Sequence, residues 1–190
     1  MKNKKWIIIA VVLAVVVLIA GIFIGSYNSM VDKRENVERS YSTVETMLQR
    51  RYDLIPNLVN TVKGYTEYEQ STLTAVTEAR AKLQNAGNTS EKVEASDQLN
   101  SALNVWVNAV TEAYPDLKAN EQFKALSDEI SGSENRIAVA RKDYNDTAKD
   151  YNSSIKKFPR SIFASIFGFD SYDYFEADAG AQNVPQVSFD

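Results

Sequence analysis

An unbroken apolar run, WIIIAVVLAVVVLIAGIFI, extends from Trp6 to Ile24, and no charged side chain follows it before Asp32. As an α-helix that rises about 1.5 Å per residue, the run is about 28 Å long, close to the ~30 Å hydrocarbon core of a bilayer. Most of its residues are Leu, Ile, Val or Phe, which favours insertion by about 4–8 kcal/mol. The sequence therefore predicts a basic flank at residues 1–5 and a transmembrane helix at residues 6–25.

A cleaved signal peptide also begins with lysines that precede an apolar run. The run here is longer than the roughly 7–15 residues of a signal-peptide core, and no A-x-A cleavage pattern follows it before Tyr27. We therefore expect the anchor to be retained. Because Lys2, Lys4 and Lys5 precede the run, we expect the N-terminus to lie in the cytoplasm.

The composition excludes many kinds of site. The chain has no cysteine and no histidine, which excludes disulfides, Ser-His-Asp triads and thiolate or imidazole metal sites. After the apolar run, 18 basic side chains stand against 25 acidic ones, and an acidic surface repels the phosphates of nucleic acids. We predict a protein that is not an enzyme, with no cofactor, metal, small-molecule substrate or nucleic-acid partner. A carboxylate-dependent hydrolase is the remaining enzymatic alternative.

Apolar residues recur at steps of three and four along four segments after the run. Pro56, residues 85–88 and Pro115 mark the predicted helix ends, and Ser90 is the expected N-cap of the third segment. This pattern predicts an all-α fold in which an N-terminal transmembrane helix precedes an antiparallel four-helix bundle at residues 26–160. Residues 161–190 are predicted to be an aromatic segment and an acidic tail, the tail being disordered or loosely docked.

The sequence of residues 50–59, RRYDLIPNLV, resembles the LemA family of bacterial membrane proteins. The similarity continues at residues 114–119 (YPDLKA) and 131–138 (SGSENRIA) and covers nearly the whole chain. The resemblance implies a single-pass anchor that carries a four-helix bundle in the bacterial envelope, with no established enzymatic activity or cofactor. For some members it also implies a link to membrane metalloproteases or to magnetosome membranes.

Four charged residues fall within otherwise apolar stripes: Glu69, Arg80, Glu134 and Arg141. Their spacing places Glu69 with Arg80, and Glu134 with Arg141, on one helical face. A lone buried charge costs several kcal/mol, so we expect each to meet an opposite charge on another helix. We interpret them as ion pairs that fix helix register. A carboxylate metal site is the disfavoured alternative, because the usual helical di-iron sites require histidine.

Two polar and aromatic segments are predicted to be corners between helices. Pro56 interrupts the helical hydrogen bonds and Pro115 ends the third helix. Both corners fall at the end of the bundle farthest from the predicted anchor. They are either structural turns or a site for a partner protein, formed by Tyr52, Asp53, Pro56, Asn57, Tyr114, Pro115 and Asp116.

The segment FPRSIFASIFGF at residues 158–169 is rich in phenylalanine and follows Lys156 and Lys157. In an up-down-up-down bundle, the fourth helix returns to the bilayer at this point. The segment either docks on the membrane surface or packs across the open end of the bundle. The candidate membrane-surface residues are Phe158, Arg160, Phe163, Phe167 and Phe169.

These features predict a scaffold or adaptor of the bacterial cell membrane. Its expected partners are the lipid bilayer and other membrane or envelope proteins. The alternative is a regulatory partner of a membrane metalloprotease or of an envelope-stress sensor. Cross-linking within the membrane tests these possibilities, because an adaptor should return one dominant neighbour and a general scaffold several.

Overall fold

The computed structural model describes residues 2–63 and 70–175. The helices are α1 (Lys2–Lys63), α2 (Gln70–Asn85), α3 (Thr89–Ala113), α4 (Glu121–Lys156) and α5 (Arg160–Phe167), and a 3₁₀ turn, Pro115–Ala119, lies between α3 and α4. No strand occurs in these described ranges, so the predicted all-α class is confirmed. The predicted seam residue Glu69 lies outside the described residues.

The apolar run is the first part of α1, which continues without interruption to Lys63. None of the run is buried by the rest of the protein; Trp6, for example, is 72% exposed. A core helix of a soluble protein would bury at least one face. Length, composition and the lack of fully buried side chains in the run together make the start of α1 a candidate membrane span.

The predicted break at Pro56 is wrong, because Pro56 lies inside α1. A proline within a helix removes one hydrogen bond and costs about 3 kcal/mol. Ile55, Leu58 and Val62 on either side of it are buried in the core, and burying each such side chain contributes about 1.5–3 kcal/mol. Core packing therefore outweighs the local preference, and α1 passes through the proline.

The described residues form two compact units. The anchor unit contains residues 2–40 and 146–172, and the bundle unit contains residues 41–63, 70–145 and 173–175. In the bundle unit, α1, α2, α3, the 3₁₀ turn and α4 supply one hydrophobic core. The core residues are Ile55, Leu58, Val62, Val76, Ala79, Leu83, Ala95, Leu99, Leu103, Trp106, Val110, Leu117, Phe123 and Ile130.

Asparagine side chains start two of the helices in the bundle unit. Asn88 Oδ1 accepts a hydrogen bond from the Glu91 amide at 2.9 Å, and Glu91 Oε2 accepts one from the Gly87 amide at 2.8 Å. This reciprocal arrangement satisfies amides that have no partner within the helix. The N-cap of α3 is therefore Asn88, and the prediction of Ser90 is wrong. Asn120 Oδ1 likewise accepts from the Phe123 amide at the start of α4.

The anchor unit holds the first residues after α5. Gly168 ends α5 in the left-handed conformation, with φ at 68°, and lets the Phe169 amide bond back to the Ala164 carbonyl. Asn152 Nδ2 donates to the Tyr172 carbonyl at 2.8 Å, while the Tyr172 amide donates to Asn152 Oδ1 at 2.9 Å. The predicted loose tail is thus wrong for residues 168–172; residues 176–190 lie outside the described part of the chain.

Candidate functional site

The most deeply buried charged side chain in the described residues is Arg51 of α1, which is 2% exposed and lies in the bundle unit. Burial lowers the pKa of its guanidinium, and the nearby Arg141 acts in the same direction, whereas the carboxylates of Glu134 and Asp97 oppose the shift. An arginine remains charged at neutral pH despite such a shift. Arg51 is therefore a buried cation compensated by carboxylates from α3 and α4.

Arg141 and Glu134, which the sequence places on one face of α4, occupy different surroundings. Arg141 Nη1 contacts Asp97 Oδ1 of α3 at 3.3 Å, so it meets an opposite charge on another helix. Glu134 is exposed and accepts a hydrogen bond from Asn100 Nδ2 at 3.1 Å. Glu134 was expected at the seam or its border, and it lies at the border, where a long carboxylate side chain can reach water.

Several buried polar atoms in the bundle unit have no hydrogen-bond partner within the described chain. They are the Nε atoms of Arg51, Arg80 and Arg141 and the Oδ1 atom of Asn100. A buried polar atom without a partner typically costs about 1–3 kcal/mol. These unpartnered atoms therefore lower the stability of the bundle unit.

Tyr52 and Arg80 form a contact between α1 and α2. The Arg80 guanidinium carbon lies 3.8 Å from the centre of the Tyr52 ring, and the Tyr52 hydroxyl donates to Gln84 Oε1 at 3.0 Å. A cation over an aromatic face contributes about 0.5–2 kcal/mol. The partner expected for Arg80 was a carboxylate on another helix, and the structure instead places an aromatic ring there.

The first predicted corner is not a turn between two helices. Tyr52, Asp53, Pro56 and Asn57 all lie inside α1, for the reason given for Pro56. Tyr52 contacts α2, and Asp53 Oδ1 accepts a hydrogen bond from Gln49 Nε2 one turn earlier at 2.8 Å. These residues therefore belong to the side of a helix, and α1 ends seven residues after Pro56, at Lys63.

The second predicted corner does separate two helices. Tyr114 is the C-cap of α3, and its carbonyl accepts from the Leu117 amide at 3.0 Å. Pro115 begins the 3₁₀ turn, which suits a residue without an amide hydrogen. Pro115 and Asp116 are exposed, whereas Leu117 is buried in the core. The turn therefore presents a proline and a carboxylate to solvent on a well-anchored backbone.

The predicted aromatic segment forms α5 in the anchor unit and packs on α1. The ring centres of Phe163 and Phe23 are 4.7 Å apart, and those of Phe167 and Tyr27 are 5.3 Å apart, both with edge-on geometry. Phe169 is buried beside Tyr27. Phe158 remains exposed, and Arg160 Nη1 donates to Ser154 Oγ at 2.9 Å. Packing against other residues of the protein thus explains the aromatic side chains of Phe163, Phe167 and Phe169. It does not explain the one at Phe158.

Sequence reasoning missed Arg51 as a separate site and missed two asparagines of α4. In the bundle unit, Asn145 exchanges two hydrogen bonds with the main chain of Phe175, at 2.8 and 2.9 Å. In the anchor unit, Asn152 does the same with Tyr172. The partners are 30 and 20 residues apart, so no local pattern indicates them. Within the described residues, no group of three or more carboxylates is placed to bind a metal ion.

Comparison with known proteins found relatives that match most of the chain. The model of the LemA family matches residues 40–189. Magnetosome protein MamQ 2 of Paramagnetospirillum magneticum is 28% identical over 191 residues, covering 87% of this chain and 70% of the relative. Protein LemA of Metamycoplasma hominis is 28% identical over 138 residues, covering 72% of this chain and 63% of that protein. The range matched by the family model includes every described residue of the bundle unit.

Proposed function

We propose that this chain, which belongs to the LemA family, is a single-pass scaffold or adaptor anchored in the bacterial cell membrane, and not an enzyme. The burial pattern of α1 carries the proposal. Side chains of the apolar run are exposed except at Phe23, which is partly buried by α5, whereas Met30, Val37 and Val44 are almost completely buried. A helix with two such parts is suited to lie in lipid at one end and in a protein core at the other.

The interior of the bundle unit supports a binding role. Its core is filled by aliphatic and aromatic side chains, and the charge of buried Arg51 is compensated by nearby carboxylates. A catalytic site normally needs a cleft in which titratable groups converge on a substrate. We therefore place the function of the bundle on its outer surface, where other membrane or envelope proteins can bind.

The turn at Pro115–Ala119 is the surface that we propose for partner contact. Asp116 and Pro115 are exposed, and buried Leu117 fixes the backbone between α3 and α4. A preorganised turn loses little conformational entropy on binding. A partner with a basic group is complementary to Asp116.

Photo-crosslinking in intact membranes tests this surface. A photoreactive residue in place of Asp116 should give defined cross-linked products, whereas the same residue at the exposed Asp143 of α4 serves as the control. Asp116→Lys should weaken capture of the same products without changing the folded helix content. One dominant neighbour would favour the regulatory alternative and several would favour a general scaffold. Equal products from both positions would refute a specific surface at the turn.

Anchoring and orientation can be measured in the same cells. The full chain should remain in the membrane after carbonate extraction, and a tag at its C-terminus should be cleaved by protease added outside spheroplasts. The latter follows from the basic residues Lys4 and Lys5 before the apolar run. A protected tag would reverse the orientation, and a chain recovered in the aqueous fraction would refute the anchor.

A further inference from the structure

The outer face of α5 and the turn before it expose an apolar surface in the anchor unit. Phe158, Ile162 and Ile166 follow one another at steps of four residues and are 81%, 50% and 67% exposed. Ile162 and Ile166, four residues apart within α5, lie on one face of that helix, and Phe158 lies in the turn before it. An exposed apolar surface of this kind marks a site of contact with a protein or a membrane.

Contacts between the opposite face of α5 and α1 determine the position of this surface along α1. Phe163 packs edge-on against Phe23, with ring centres 4.7 Å apart, and Phe167 packs against both Phe23 and Tyr27. Phe23 is the penultimate residue of the apolar run. The helix α5 therefore lies beside the end of the candidate membrane span.

The burial of α1 changes at the same height. Up to Ile24 its side chains are largely exposed, whereas Ser26 and Met30 are buried. If the run lies in lipid, the boundary between lipid and water falls close to these residues. The exposed face of α5 thus lies beside the end of the exposed apolar run of α1, which points to the same solvent for both.

Basic residues stand next to this surface. Lys156 and Lys157 are exposed at the end of α4, and Arg160 is the first residue of α5. Aromatic and aliphatic side chains flanked by lysine and arginine suit the headgroup region, where the apolar groups enter the acyl boundary and the cations meet lipid phosphates.

We propose that α5 is an interfacial helix whose exposed Ile162 and Ile166, together with Phe158 in the turn before it, insert into the headgroup–acyl boundary of the bilayer that α1 spans, with preference for anionic lipid. This inference depends on the anchoring proposed above. It makes the protein contact one leaflet at two places, through the end of α1 and through α5.

The natural absence of cysteine allows a direct test with the full chain. Single variants Phe158→Cys, Ile162→Cys and Ile166→Cys are labelled with an environment-sensitive fluorophore and reconstituted in phosphatidylcholine vesicles with and without phosphatidylglycerol. Val139→Cys is the matched control, because Val139 is similarly exposed but lies on α4 in the bundle unit. Val12→Cys, within the apolar run, reports on the anchor itself.

We expect lipids that carry a nitroxide near the headgroup to quench the three α5 labels several-fold more strongly than the label at position 139. Phosphatidylglycerol should increase this quenching, and Lys156→Gln with Lys157→Gln should remove the increase. A label at position 12 quenched by deep nitroxides, with α5 labels no more quenched than the control, would overturn the inference but leave the anchor intact. Absence of quenching at position 12 would instead refute the anchor.

A second copy of the chain could also cover the face. In that case the α5 labels would be shielded from water and would not be quenched by nitroxide lipids. Their fluorescence would depend on the ratio of protein to lipid. That outcome would overturn lipid docking.

Discussion

The two parts of α1 share one secondary structure and differ in their sequence pattern. From Trp6 to Ile24 every position is nonpolar and none is buried by protein, whereas from Met30 to Val62 only one stripe is buried. A helix surrounded by an apolar solvent needs no polar face, and a helix between core and water needs both faces. The comparison teaches that the periodicity of the apolar residues, and not their number, indicates which residues are packed against protein.

The largest expected difference between the two parts is in the cost of truncating a leucine. Leu58→Ala removes a completely buried side chain and should lower the free energy of unfolding by about 2–5 kcal/mol. Leu13→Ala, at an exposed position of the run, should change it by less than about 0.5 kcal/mol. Denaturant titration in micelles, followed by the fluorescence of buried Trp106, measures both. Equal effects would show that the run is packed against protein.

A charge placed in the run should have a slightly smaller energetic effect, and it should change the free energy of membrane insertion and not that of unfolding. Val15→Asp puts a carboxylate at the middle of the run, at a cost of about 3–4 kcal/mol when the lost valine is included. The fraction of the chain that resists carbonate extraction should fall, while Val15→Leu should leave it unchanged. An unchanged fraction for Val15→Asp would contradict a transmembrane position.

The packed part of α1 accepts a charge because carboxylates compensate Arg51. Asp97→Asn should lower the free energy of unfolding by about 1–2 kcal/mol, since it leaves two arginines with less compensation. Arg51→Met should be neutral or stabilising, because replacing a buried charge by an apolar side chain of similar size avoids its desolvation. Asp143→Asn is the control and should change it by less than about 0.5 kcal/mol, because Asp143 is an exposed residue of α4.

A large decrease in the free energy of unfolding for Arg51→Met, with no decrease for Asp97→Asn, would contradict this account of the charges around Arg51. It would mean that Arg51 stabilises the core by contacts other than those with the carboxylates.

The smallest expected effect depends on pH and concerns the anchor unit. Arg34 Nε and the Tyr172 hydroxyl donate to Glu38 Oε1, both at 3.0 Å, and Arg34 followed by Tyr172 lowers the pKa of Glu38. A carboxyl group with a lowered folded-state pKa stabilises the fold above its unfolded pKa of about 4.3 and loses that contribution as the pH falls through the lower value. Because Glu38 is exposed, the contribution is small.

The difference in unfolding free energy between the wild type and Glu38→Gln isolates this contribution from other carboxylates. It should be present at neutral pH and should be lost as the pH falls below about 4.3 and through the lower folded-state pKa of Glu38. A difference that persists at acid pH would show that the carboxylate charge is not its source.

The sequence predicts those features of the fold that depend on neighbouring residues. The loop before α3 and the end of α3 were predictable, because Gly87 and Pro115 act on the backbone near them. The helix through Pro56 was not, because Leu58 and Val62 stabilise it through contacts distant in the sequence. Periodicity locates a Cβ atom and not the end of a long side chain, which is why it left Glu134 at the seam or its border and did not single out Arg51.

The double hydrogen bond between Asn152 and residue 172 has an evolutionary consequence. A carboxamide carries the same donor and acceptor as a peptide group, so the helix recognises the main chain of Tyr172 and not its identity. Any amino acid with an amide hydrogen can preserve this recognition at position 172, while proline abolishes half of it. This pair of hydrogen bonds therefore does not by itself constrain the side chain at position 172.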